Sequence, residues 1–230
     1  MHIQGTKLKR DRDPQKSSLY EFDESRVIIF REEDTRDVVE VAYSLEESDK
    51  GFYAKEYRPH TVSGQDANVI DITAFIINEE KNTCRWKLYD VKQDVGGKDV
   101  IRHLCQQWQA SYRYLHHSVF AYLDEDIVVD GNIGVITHHF DDERIKKEFQ
   151  SISEKIKKVE ADKDAPTMHM LALRKGHSTL PILREYREFL KNMMQRKVCF
   201  RDAGQNVELL FDVKIASEDG EGNFYCQLVV

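Results

Sequence analysis

The chain has 230 residues, 40% hydrophobic and 33% charged, with a formal net charge of −7 and a pI of about 5.7. That composition describes a globule able to bury a full core, as one large domain or two small ones, and excludes a low-complexity chain. No apolar run approaches the ~18–20 residues that span a bilayer, no signal-peptide core opens the chain, and the acidic balance argues against a constitutive nucleic-acid coat.

Residues 1–18 are polar and basic (Lys7, Lys9, Arg10, Arg12, Lys16) and read as a flexible arm. Arg26 to Phe30 reads as a strand, whereas residues 38–45 fit both helical and strand periods. Residues 57–64, with Pro59 and Gly64, read as a loop entering the core. Asn68 to Asn78 then reads as a strand with Asp71 near its start, and Cys84 to Lys92 as a second strand after a short polar turn. Gly96-Gly97 breaks it, and a helical period runs from Lys98 to about His117, with Ile101, Leu104, Cys105, Trp108, Tyr112 and Leu115 on one face. Asn132 to Phe140 reads as a further strand. Residues 143–160 form a helix with a heptad-like seam of Ile145, Phe149, Ile152, Ile156 and Val159. Met168 to Arg174 reads as a strand, residues 179–197 as a helix capped by Ser178 or Thr179, and three closing strands cover 198–201, 207–215 and 223–230. The four cysteines (Cys84, Cys105, Cys199, Cys226) show no Cys-x-x-Cys pairing and fit reduced thiols of a cytoplasmic protein.

Chemistry concentrates in the two strands at 68–78 and 84–92. If they pair antiparallel, the start of the first lies beside the end of the second, so Asp71, Asp90 and Lys92 meet at one sheet edge. Two acids can hold a hard divalent cation through oxygen, and a lysine can orient a water or stabilise charge on a phosphate. The bland reading is solvated strand-end residues; an unrelated Asp212-Val213-Lys214 occurs in the same chain. From Lys81 to His117, seven Lys/Arg stand against three Asp, a local balance of +4. The helix carries a second stripe of Lys98, Arg102, Gln106, Gln109 and Arg113 with no acid in it, suited to a phosphate backbone or simply to solvent. Adjacent histidines at His116-His117 and His138-His139, the latter near Asp141 and Asp142, have metal-type side chains, but neighbours on a strand point to opposite faces and do not readily share an ion. No Walker or dinucleotide glycine loop and no Gly-x-Ser-x-Gly elbow is present, which argues against an NTPase or serine hydrolase.

The run Asp71 … Asp90-Val91-Lys92, followed by a Gly-Gly turn and an amphipathic helix carrying glutamines, resembles the PD-(D/E)XK nuclease superfamily, with Asn132 to Phe140 similar to its next core strand. The likeness covers roughly residues 64–160. It departs from the family in Ile70 for the proline before the first acid and in Asp90 for the commoner glutamate. The resemblance implies an α/β (α+β) fold: a mixed central sheet flanked by helices, with a restriction-endonuclease-like core over residues 19–160. Residues 161–230 would be a C-terminal extension packed on the same domain. It also implies a cytoplasmic Mg²⁺- or Mn²⁺-dependent DNA endonuclease, with Asp71, Asp90 and the Val91 carbonyl on the metal and Lys92 placing the attacking water. An upstream acid from a first helix is expected too, and Glu40 is the candidate. Lys98, Arg102, Gln106, Gln109 and Arg113 would hold the substrate backbone. The expected setting is anti-phage or restriction-like defence, or DNA repair, beside an ATPase, helicase or sensor subunit. Such a seam more often packs on its own domain; if it is not already buried in the core, it is the expected docking surface for a partner or a second copy. Two readings without catalysis stay open: a nuclease-fold adaptor, and an acidic immunity or antitoxin protein.

Overall fold

The computed structural model of the chain describes residues 19–22, 27–32, 37–56, 69–96, 98–161 and 180–230. The basic arm, the loop at 57–64, the strand expected at 168–174 and the cap at Ser178 or Thr179 lie outside the described residues.

The fold is mixed α/β, with two sheets and three α-helices among the described residues. β1 (Tyr20–Glu21), β4 (Asp49–Lys55), β5 (Ile72–Asn78), β6 (Thr83–Asp94), β7 (Val128–His139), β9 (Gln205–Ile215) and β8 (Lys197–Asp202) form a seven-stranded sheet, in the spatial order just given. A four-stranded sheet runs in the order β10 (Ser217–Glu218), β11 (Phe224–Val229), β3 (Asp37–Ala42) and β2 (Val27–Glu32). The helices are α1 (Lys98–Ser118), α2 (Asp142–Ala161) and α3 (Leu180–Met194). Among the described residues, no helix is long and apolar enough to cross a membrane.

Strand alternation separates the two faces of the large sheet. Phe75, Ile77, Cys84, Trp86, Leu88, Ile133, Val135, Leu209 and Phe211 join one buried cluster with Leu104, Trp108, Ile152 and Leu190 from the helices. Their sequence neighbours Ile72, Ala74, Ile76, Tyr89, Val91 and Ile136 join the other, with Val39, Val41, Cys226 and Leu228 of the small sheet. The large sheet is thus the middle layer of three. β5, Ile-Thr-Ala-Phe-Ile-Ile-Asn, is buried at every position because both its faces are covered, which is why it reads as one apolar run rather than an alternation.

β4, β5 and β6 form an antiparallel meander, and β6 then passes through α1 to β7, which pairs with it in parallel. β7 approaches its neighbours closely at Gly134, where a Cβ would stand 2.3 Å from the Tyr89 ring and 2.8 Å from the Asp212 carbonyl. The C-terminal residues are not an appendage: β9 extends the large sheet beside β7, and β11 pairs in parallel with β3 of the small one.

One expectation is overturned here. The ambiguous segment around Glu40 is strand β3, with burial alternating at every residue, so Glu40 does not come from a first helix. Of the two readings of the α2 seam, packing on its own domain is the one observed. Ile145, Ile152 and Ile156 are buried, Phe149 packs against the same core, and α2 lies along α3.

Candidate active site

Asp71 immediately precedes β5, and Asp90 lies one residue beyond Tyr89, which pairs with Ile72. The antiparallel register therefore brings the two carboxyls opposite one another. Both fall on the helix-covered face, since Asp71 shares the parity of Phe75 and Ile77, and Asp90 that of Trp86 and Leu88. Lys92 follows two residues later on the same face, its Nζ 2.5 Å from Asp90 Oδ2 and within 3.2 Å of the Val91 carbonyl. The Val91 amide donates to Asp71 Oδ2 at 2.7 Å, which fixes the first carboxylate against the second strand.

Asp90 is the unusual member. It is fully buried, and neither of its oxygens accepts an aligned hydrogen bond. Burial first, and then the neighbouring Asp71 carboxylate, raise its pKa well above the usual carboxylate range, with the Lys92 ammonium acting in the opposite direction. Buried polar atoms are nearly always satisfied, so a buried acid held only by one ammonium beside a second acid is a donor set suited to a cation. Asp71 is half-buried and the Lys92 side chain is 28% exposed, so the pair can be reached from solvent on that side.

α1 packs behind these strands as the periodicity predicts: Ile101, Leu104, Cys105, Trp108 and Leu115 are buried, and Trp108 Nε1 donates to the Gly134 carbonyl at 3.0 Å. The flank that reaches the acids is not the expected stripe, however. Gln107 Nε2 donates to the Val69 carbonyl at 3.1 Å, and the Ile70 amide donates to Ser111 Oγ at 3.0 Å, so this flank clamps the two residues that lead into Asp71. Both side chains are buried, Gln107 with a bare Oε1. No motif marks them; their signal is a polar pair at i, i+4 spacing at the margin of an apolar face.

At about 100° per residue, Arg102, Gln109 and Arg113 lie on the opposite flank of α1, towards the β8 edge. Arg113 donates to the Arg201 carbonyl at 2.9 Å, stands 3.4 Å from Asp202 and lies over Phe200. Its guanidinium is occupied within the fold rather than presented beside the acids. Gln106 is exposed, and Arg102 is half-buried with Nε enclosed. The side chain of Lys98 lies outside the described residues.

Glu40 is also remote from the acids. It points away from the buried Val39 and Val41, so it sits on the outer face of the small sheet, where it accepts from Gln227 Nε2 at 2.6 Å. The intervening layers separate it from Asp71 and Asp90. His138 contacts Asp37 at 2.7 Å and stacks on Phe224, tying the two sheets together. Asp212 of the second Asp-x-Lys accepts from Tyr89 Oη at 2.8 Å, on the small-sheet face.

His116 and His117 depart from expectation. They lie in the last turn of α1, not on a strand, so they are about 100° apart rather than opposed, and both approach Asp202. Compared with protein-family models, with curated proteins and with solved structures, the chain matches none of them.

Proposed function

We propose that the chain is a metal-dependent phosphodiester hydrolase acting on DNA, with Asp71, Asp90 and Lys92 as its catalytic group. The observation that carries this reading is Asp90: fully buried, without an aligned hydrogen bond at either oxygen, and placed between a second carboxylate and an ammonium. The meander β4-β5-β6 and the crossover through α1 to β7 support it, because they set the acid, the acid-x-Lys and the helix in the relation that the PD-(D/E)XK resemblance implies.

Asp71, Asp90 and the Val91 carbonyl would hold Mg²⁺ or Mn²⁺. When bound, such an ion supplies Lewis-acid stabilisation of charge on the phosphate and lowers the pKa of water. Asp90 would release its proton as the cation enters, which couples binding to pH. Lys92 has three N–H donors and would turn from Asp90 to a phosphate oxygen or to the attacking water. Gln107 and Ser111 hold the entry to β5 and so keep Asp71 in register with Asp90. A chain with net charge −7, whose Arg113 is engaged internally, would neutralise few phosphates alone. Action beside a helicase, ATPase or sensor subunit in a defence or repair complex fits that weakness.

The placement of Arg102, Gln109 and Arg113 on the far flank also favours the second reading, a nuclease-fold adaptor without catalysis. One experiment separates them: supercoiled DNA incubated with purified protein in Mg²⁺ or Mn²⁺ at low salt, comparing wild type with Asp90→Asn and Lys92→Ala. Nicking by the wild type and its loss in both variants supports hydrolysis. Equal nicking by Lys92→Ala, or none by wild type in either ion, refutes it.

A further inference from the structure

At the opposite edge of the large sheet, the last turn of α1 meets the hairpin between β8 and β9. Ala203 and Gly204 at the tip of that hairpin both have positive φ, 45° and 84°, as a two-residue turn with the right twist for the flanking strands requires. This turn fixes Asp202, which pairs with Gln205, and aims its buried carboxylate at the helix end. His116 Nδ1 lies 3.1 Å from Asp202 Oδ2, and His117 Nε2 lies 3.9 Å from Oδ1. One donor atom from each of the three residues falls within 4.8 Å of the other two.

We propose that His116, His117 and Asp202 form a binding site for a transition-metal dication of the Zn²⁺ type. Tetrahedral Zn²⁺, with bonds of ~2.0–2.2 Å, requires donors separated by roughly 3.3–3.5 Å, a value that the two observed carboxylate–imidazole separations bracket. The two separations run to different carboxylate oxygens and the donor atoms spread to as much as 4.8 Å, so the imidazoles would turn inward to close the set. His117 is free to turn, with a side chain 54% exposed. His116 is held by stacking on Tyr112, at 5.8 Å between centroids and 12° between planes.

Charge favours a cation there. The carboxylate is largely withdrawn from water, and the last-turn carbonyls of α1 contribute the negative end of its dipole. Arg113, whose Nε is 3.4 Å from Oδ1, supplies the counter-charge on one side and leaves Oδ2 facing His116. Two imidazoles and one carboxylate select a borderline ion over Mg²⁺, which demands an oxygen shell. Three protein ligands leave a fourth position open, unlike the closed sets of purely structural sites. The site is independent of Asp71 and Asp90 in residues and in ion preference.

The test is calorimetric titration of the full-length, metal-free protein with Zn²⁺ alone, followed by the same titration in excess Mg²⁺. One ion per chain is expected, undisturbed by Mg²⁺. His117→Ala, at an exposed position, should weaken binding by at least about tenfold, as should Asp202→Asn, with circular dichroism confirming that both variants fold. Cys199→Ser should bind as wild type does. The proposal is overturned by full affinity in His117→Ala, by loss of binding in Cys199→Ser, or by the absence of stoichiometric Zn²⁺ uptake.

Discussion

Replacing Asp90 by asparagine should make the metal-free protein more stable at neutral pH and, at the same time, indifferent to Mg²⁺. Asp90 is fully buried, has no aligned hydrogen bond at either oxygen, and has Lys92 at 2.5 Å as counter-charge beside the neighbouring Asp71. Its pKa is raised in the folded protein, by burial and then by Asp71, whereas the unfolded carboxyl titrates near ~3.9. The folded state therefore keeps a proton that the unfolded state has released. The associated stability is complete below ~3.9 and is lost as pH rises through the folded value. Asparagine cannot ionise, so that loss disappears, and Lys92 is exposed enough to turn to solvent. A poorly compensated buried charge costs more than the roughly 1–3 kcal/mol of an unsatisfied neutral group; asparagine keeps the polar atoms but not the charge, so the substitution should recover about 1–2 kcal/mol. At about 2–4 °C per kcal/mol for a chain of this size, Asp90→Asn should melt some 2–8 °C above wild type at pH 8 and no higher at pH 4. Mg²⁺ at about one hundred times its Kd adds about 2.7 kcal/mol to the wild type alone, so the order of melting temperatures reverses. Thermal unfolding followed by circular dichroism at both pH values, with and without Mg²⁺, measures all of this. An Asp90→Asn protein that melts below wild type at pH 8 without metal, or that gains the same Mg²⁺ shift, refutes the reasoning.

Trp108→Ala should destabilise the protein by about 3–5 kcal/mol in denaturant titration, because the indole is fully buried and its N–H is bonded to the Gly134 carbonyl. Ile152→Asp should prevent folding, seen as loss of a cooperative transition, since a charge at a 3% exposed core position has no partner. Arg113→Ala should lower stability by no more than about 1 kcal/mol, its Asp202 contact being partly exposed, and leave the salt dependence of DNA binding unchanged. A slope reduced by about one unit would return Arg113 to the phosphate contacts.

The large elements were legible wherever one physical signal dominated. α1 and α2 are amphipathic with a single buried stripe, and the structure gives Lys98–Ser118 and Asp142–Ala161. The strands β5 to β9 follow runs of apolar and β-branched residues closed by polar turns. The segment around Glu40 resisted reading because Asp-Val-Val-Glu-Val-Ala satisfies both periods over so short a span. Parallel pairing with β11, nearly two hundred residues downstream, settles it as strand, and no local pattern carries that information. The seam of α2 left two readings open for a related reason. A heptad spacing specifies a stripe that must be covered, but the chain's own α3 and core cover it as well as a partner would.

At the candidate site the same division holds between what local sequence specifies and what packing decides. Parity along β5 and β6 was enough to place Asp71, Asp90 and Lys92 on one face, because a strand has only two sides. A helix has a full circle, and there the choice of polar flank was decided by which side of α1 lies over β5. Gln107 and Ser111 face the two residues before Asp71, while Arg113 and His116 face Asp202 at the far edge. Charge had pointed to the arginines, yet the residues that hold the acid strand are neutral. Neutral side chains can be buried at that margin for one hydrogen bond each, whereas a guanidinium there would need a carboxylate, and the nearest carboxylates are Asp71 and Asp90 themselves. Arg113 instead packs on the opposite flank, against Asp202 and Phe200, and leaves the acid pair to Lys92. A site that sets two carboxylates against one ammonium can gain from a dication.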